Sequence, residues 1–149
     1  MSRTLLPEEI DRILEQAEVG RLGLSANGNP YVIPLSFWLS KDAIYFHGAL
    51  QGRKIEYIRA NPRACFVADR MDELLTSAHP CQFNVTFQSV MAEGEISLVE
   101  DEAEKLAALK GLSVKYGGPD TAALLTQDQT LNVAVFKLLI QEKSGRGNP

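Results

Sequence analysis

Apolar residues first recur at helical spacing and then switch to alternation. Leu6, Ile10, Ile13, Leu14 and Ala17 fall three or four apart, which predicts an amphipathic helix over 7–17. Pro7 suits the first helical position, and Glu8, Glu9 and Asp11 suit the positive end of the helix dipole. From residue 19 the period shortens to two, predicting strands over 19–25, 31–39 and 43–48. Ala26-Asn27-Gly28-Asn29-Pro30 and Ser40-Lys41-Asp42 turn the chain between them. Three strands joined by tight turns imply a meander rather than βαβ units. Tyr31, Ile33, Leu35, Phe37 and Leu39 share one face of the second strand. Its Pro34 removes a ladder donor, which marks an edge, a bulge or a place where backbone faces a ligand.

A short helix is expected over 53–60, stopping at Asn61-Pro62 because the residue before proline disfavours helical ψ. A strand over 63–69 follows, then a polar, irregular loop over 70–80. Residues 82–93 alternate, with Phe83, Val85, Phe87, Ser89 and Met91 on one face. Gly94 marks a bend or bulge before 95–99. A helix over 101–115 has its acids early and lysines late, matching the dipole, and Tyr116-Gly117-Gly118-Pro119-Asp120 ends it. The last strand, 132–141, is apolar on both faces, so either a partner subunit or the chain's own helices must cover its outer side. The Gly-rich polar tail 143–149 reads as disordered.

The 149 residues suffice for one domain with a substantial core. Lys and Arg total 15 against 19 acids, a net charge of −4. That mild acidity argues against a general nucleic-acid or membrane-surface role. Cys65 and Cys81 form no CxxC, and with two histidines there is no zinc pattern, so no metal site is expected. The first nine residues carry acids before any apolar run, and no stretch is long and apolar enough to span a membrane. A cytoplasmic protein is the expectation.

Candidate chemistry concentrates in Tyr45-Phe46-His47-Gly48-Ala49-Leu50-Gln51-Gly52-Arg53-Lys54-Ile55. A strand stops, glycines turn the backbone, and a helix begins with two cations. Cations oppose the dipole of an isolated helix start, whereas free N–H groups there attract an anion. Arg can grip two phosphate oxygens and Lys adds a point charge. A phosphate site is one reading; solvated basic residues are the other. GxSxG, Walker and GxGxxG patterns are absent. His79-Pro80-Cys81 shows no base partner, and Asp69, Asp72 and Glu73 read as a solvated loop.

Pro34-Leu35-Ser36-Phe37, Ile44 through Ala49, Gly52-Arg53-Lys54 and Arg59 through Phe66, in that order, resemble the pyridoxamine 5′-phosphate oxidase-like, FMN-binding split-barrel superfamily. Phe87 through Gly94 is similar to a later strand of its nitroimidazole-resistance branch. The likeness spans about 19–109, and the run from Tyr45 to Cys65 is its specific part. It implies a mainly β fold with flanking helices: a six-stranded antiparallel split barrel, homodimeric, with FMN between the subunits. Pro34, Leu35, Ser36 and Phe37 would run along the flavin ring. His47, Gly48 and Ala49 would lie near the ring and ribityl chain. Gly52, Arg53 and Lys54 would hold the phosphate, and Gln88 and Ser89 would contact the phosphate or ribityl chain.

The resemblance further implies an oxidoreductase in which NAD(P)H reduces the flavin, and a small nitroaromatic or quinone-type molecule is then reduced. His47 would donate a hydrogen bond or proton to that substrate. Its alternatives are a histidine that closes a strand end and a haem ligand. A non-catalytic flavin-binding or haem-binding module on the same barrel is the alternative function. Trp38 would cover the ring or sit in the core. The Arg-Leu-x-Pro-type ending of true pyridoxamine phosphate oxidases is not seen, which argues against vitamin B6 substrates.

Overall fold

The computed structural model describes residues 2–148. Eight strands form one antiparallel sheet: β1 (Arg3–Thr4), β2 (Gly20–Ala26), β3 (Asn29–Leu35), β4 (Trp38–Ser40), β5 (Ala43–Gly48), β6 (Arg63–Leu75), β7 (Asn84–Leu98) and β8 (Ala134–Gly147). The spatial order is β3-β2-β6-β7-β8-β5-β4, and β1 pairs with β8. The two edge strands, β3 and β4, are consecutive in the chain and separated only by Ser36 and Phe37. Three residue steps span at most about 11 Å. The sheet therefore curls until its edges nearly meet at this corner without pairing, which is a split barrel. Phe37, Phe46, Phe66 and Phe136 are fully buried inside it. Gly20 leaves room for Phe66; a Cβ there would stand 1.9 Å from the ring.

Among the described residues three α-helices lie outside the sheet, α1 (Pro7–Gln16), α2 (Arg53–Ala60) and α3 (Glu102–Gly117), and short 3-10 turns at Pro119–Leu124 and Gln127–Asn132 lead from α3 to β8. α1 buries Ile10, Ile13 and Leu14; α2 buries Ile55 and Ile58. The Asp101 side chain caps α3 by accepting the Glu104 N–H at 2.8 Å. The expected bulge lies between Glu93 and Gly94, where a Cβ on Gly94 would meet the Leu139 carbonyl.

Several expectations fail for identifiable reasons. The strand expected over 31–39 breaks at Ser36–Phe37, so β3 pairs with β2, β4 with β5, and the meander is two separate hairpins. That break and the short β1 raise the count from six strands to eight. The loop expected over 70–80 is strand as far as Leu75, paired with the start of β7 and bulged between Met71 and Glu73. Residues 69–75 are exposed on both faces, so this end of β6 carries no period-two signal. The tail expected to be disordered is β8 through Gly147, paired with β7 and β1. Gly145 and Gly147 leave space for Leu5, whose side chain lies about 3 Å from where their Cβ atoms would be. Pro149 lies outside the described residues. On β8, Phe136 and Leu138 point into the barrel, Val135 packs with Val99 and Ala108 of α3, and Leu139 is exposed.

Candidate functional site

On β5 the alternation sends Ile44 and Phe46 into the barrel and Tyr45 and His47 outward. His47 thereby lines a cleft of about 450 Å³. Its walls are apolar, from Leu109 and Leu112 of α3 and from Leu125 and Val133 beyond it. Polar groups enter at Ser36, Tyr116 and Gln129. Ser36 and Tyr116 also line a second cleft with Pro34 and Leu35. The imidazole makes no hydrogen bond to a described residue and is exposed. Trp38 sits outside the barrel, against Gly111 of α3, where a Cβ would stand 2.3 Å from the indole.

The corner at Ser36–Phe37 is held by the end of α3. Tyr116 Oη accepts the Phe37 N–H at 2.9 Å and donates to the Glu18 carbonyl at 2.6 Å. Lys115 Nζ donates to the Phe37 carbonyl at 2.9 Å and lies 3.6 Å from the centroid of the Phe37 ring. Burial pushes the Tyr116 hydroxyl up, and pushes the Lys115 ammonium down to about 8 against the attraction of Glu18. At its other end α3 is tied by Glu104, whose Oε2 accepts from Tyr45 Oη at 2.6 Å and from Lys137 Nζ at 2.7 Å. These donors hold the Glu104 carboxyl below its usual range, and burial with the Glu104 bond pushes Tyr45 up to about 12.

Beyond His47, β5 ends at Gly48 and the chain turns through Ala49 into α2. Gly52 caps that helix at φ +128°, a conformation side chains other than glycine's rarely adopt. No side chain caps the helix; the Glu56 N–H closes its first turn on the Gly52 carbonyl at 3.1 Å. Lys54 folds back on Gly48, where a Cβ would meet its Cε at 3.3 Å. Arg53 lies with Cζ 4.1 Å over the Tyr31 ring and donates to Tyr57 Oη at 3.4 Å. Among the described residues, neither cation pairs with a carboxylate. A helix start with no side-chain cap, two cations without carboxylate partners among the described residues and a glycine-bordered approach together fit a phosphate group.

Ser36 thus lines one cleft with His47 and a second with Pro34 and Leu35, and Lys54 packs against Gly48, the residue after His47, whereas Arg53 lies over Tyr31 of β3. Gln88 and Ser89 lie elsewhere, paired with Arg70 and Asp69 on β6. With β2 and β6 between them and β3, they stand three strand spacings away, roughly 14 Å around the sheet. Asp69 and Asp72 are engaged by Arg21 and Arg70. The sequence reading missed Lys115 and Tyr116, whose only signal was a lysine in a last helical turn, and missed Leu125, Gln129 and Val133, which carried none. No group of three or more His, Cys, Asp or Glu among the described residues is placed to hold a metal, and no described helix is long and apolar enough to cross a membrane.

A curled antiparallel sheet open at one corner, with a cleft and a cationic helix start beside that opening, defines the split-barrel class. The chain belongs to the pyridoxamine 5′-phosphate oxidase family, whose model matches residues 7–147. A proposed 5-nitroimidazole antibiotic resistance protein from Bacteroides thetaiotaomicron is 26% identical, with a TM-score of 0.84 over 98% of this chain and 87% of that one. The flavocytochrome Anf3 from Azotobacter vinelandii is 27% identical, with a TM-score of 0.85 over 99% of this chain and 69% of that one. An FAD-binding protein from Mesorhizobium loti is 27% identical, with a TM-score of 0.75 over 100% and 99%. No curated protein sequence matches the chain.

Proposed function

We propose that this chain is a flavin-dependent oxidoreductase that binds FMN and reduces a small oxidised molecule, of nitroaromatic or quinone type, with electrons from NAD(P)H. The observation that carries the reading is the pair Arg53 and Lys54, free of carboxylate partners among the described residues, at a helix start that no side chain caps and that follows His47 of the cleft by six residues. Arg53, Lys54 and the first N–H groups of α2 would hold the phosphate. Gly48, Ala49 and Gly52 would let the ribityl chain approach backbone, and Pro34, Leu35 and Ser36 would face the ring, with Phe37 buried behind them as the anchor of the corner. A bound flavin supplies hydride and electron transfer. His47 would donate a hydrogen bond or proton to the acceptor in the apolar cleft.

Gln88 and Ser89 would reach the flavin only from a second copy, so a homodimer with the flavin at its interface belongs to the proposal. Exposed apolar residues support it: Val32 on β3 is 64% exposed, and Met71 and Leu74 on the β6–β7 arm are 62% and 60%. The flavin named for the Mesorhizobium relative is FAD, which makes FAD the competing cofactor.

FMN titration followed by flavin fluorescence tests the reading. The Arg53→Ala, Lys54→Ala double variant weakens FMN more than tenfold, because charge-assisted bonds contribute about 1.5–3 kcal/mol each. Riboflavin, which lacks the phosphate, loses little between the two proteins. Equal FMN affinity in both removes the phosphate site. Anaerobic mixing with NADH or NADPH then separates an enzyme, whose flavin bleaches, from a carrier, whose flavin stays yellow. A second reading, haem binding, is favoured by the way His47 faces apolar walls and by the flavocytochrome relative. A Soret band on haem titration that is lost in His47→Ala supports it over the acid role.

A further inference from the structure

We propose that Lys115 and Tyr116 form a clamp on the Phe37 peptide that sets the position of the Ser36 corner, and with it the β3 backbone facing the flavin. The placing of the flavin rests on the function proposed above; the clamp itself stands on the geometry alone. Phe37 belongs to neither β3 nor β4, so no ladder satisfies its N–H and C=O, yet its side chain is fully buried. A peptide group left unpaired beside a core costs as much as a lost hydrogen bond. Here Tyr116 takes the N–H and Lys115 takes the C=O. The Tyr116 proton goes to the Glu18 carbonyl just before β2, so one side chain joins three segments. β3 and β4 cannot shift relative to α3 without breaking these bonds.

An ammonium in this place is costly, and its charge is balanced only loosely. No carboxylate among the described residues pairs with Lys115. The groups facing it are Glu15 from α1, Glu18 from the segment before β2, and Lys110 and Tyr116 from α3; β4 contributes only Trp38 and Leu39. Burial leaves the amine half-protonated near pH 8. A neutral amine still donates, but without the charge that strengthens the bond and without attraction to the Phe37 ring. The clamp therefore loosens from pH 7 to pH 9.

The experiment compares FMN affinity at pH 7 and pH 9 for the full-length wild type, Lys115→Met and Lys115→Arg. Wild type is expected to weaken at least threefold at pH 9. Lys115→Arg, which cannot lose its proton, holds its pH 7 affinity. Lys115→Met is weaker than wild type at pH 7 by about three- to tenfold, from the loss of one charge-assisted bond, and its affinity shows no further loss at pH 9. In parallel, Tyr116→Phe without cofactor accelerates hydrogen exchange at the Phe37 amide more than tenfold and leaves Phe46 in β5 unchanged. An unchanged Phe37 rate overturns the clamp. A wild-type affinity equal at both pH values, or a Lys115→Arg profile matching wild type, overturns its action on the flavin. Accelerated Phe37 exchange in a protein that takes up no FMN supports the clamp and overturns the flavin reading alone.

Discussion

At the N-terminal end of α3, Glu104 collects the Tyr45 hydroxyl and the Lys137 ammonium, each within 2.7 Å. At the C-terminal end, Lys115 meets a carbonyl and an aromatic face and no carboxylate. The first end balances its charges, so it can fasten the helix to β5 and β8 at little electrostatic cost. The second holds a half-buried charge against a backbone corner. It answers to pH in a range where the first is already saturated. One helix is thus anchored at one end and adjustable at the other, and the adjustable end borders the cleft.

Breaking the balanced end has the largest expected effect. Glu104→Ala leaves Lys137 and the Tyr45 hydroxyl partly buried without their acceptor. A loss of about 2 kcal/mol follows, and a thermal midpoint lower by roughly 5–8 °C. Calorimetry that finds less than 1 °C would show that this end does not fasten α3.

How far this contrast was legible in the sequence depended on the range of the forces involved. α2 was legible to the residue because its limits are local: Gly52 supplies the positive φ and Asn61-Pro62 stops the helix. Phe46 inside and His47 outside follow from alternation alone. The corner at Ser36–Phe37 was not legible, since its partners lie 78 and 79 residues away and Phe37 continues the strand's own apolar alternation. Gly145 and Gly147 read as flexible because a missing side chain signals both freedom and close packing, and only the position of Leu5 decides between them. Gln88 and Ser89 kept the alternation expected of them but stand three strands from β3, a separation no local pattern encodes.

The two ends also titrate in separate windows. The folded Glu104 pKa is lowered from 4.5, so its contribution is full above that value and is lost as pH falls through the folded one. Lys115 is lowered from 10.5 to about 8 because relief of its buried charge outweighs the weakened bond to the Phe37 carbonyl, so the corner loosens locally while the unfolded chain binds the proton more tightly between those values and global stability rises with pH across them. Denaturant unfolding should show both rises. Lys115→Met should remove the alkaline rise and leave the acid one. An alkaline rise that persists in Lys115→Met would assign it to another group.

The smallest effect separates the two causes acting on Tyr45. Burial is the larger and the Glu104 bond the smaller of the forces that push its hydroxyl up to about 12. Glu104→Gln keeps an acceptor of similar shape and removes the negative charge that penalises a phenolate. The Tyr45 titration, read from its ring resonances, should move toward the ordinary value of 10 and stop short of it, because burial persists. A full return to 10 would mean that the carboxylate, rather than the packing of α3 on β5, governs this end. The helix would then be held by charge at both ends, and the contrast between them would reduce to whether a counter-charge is present.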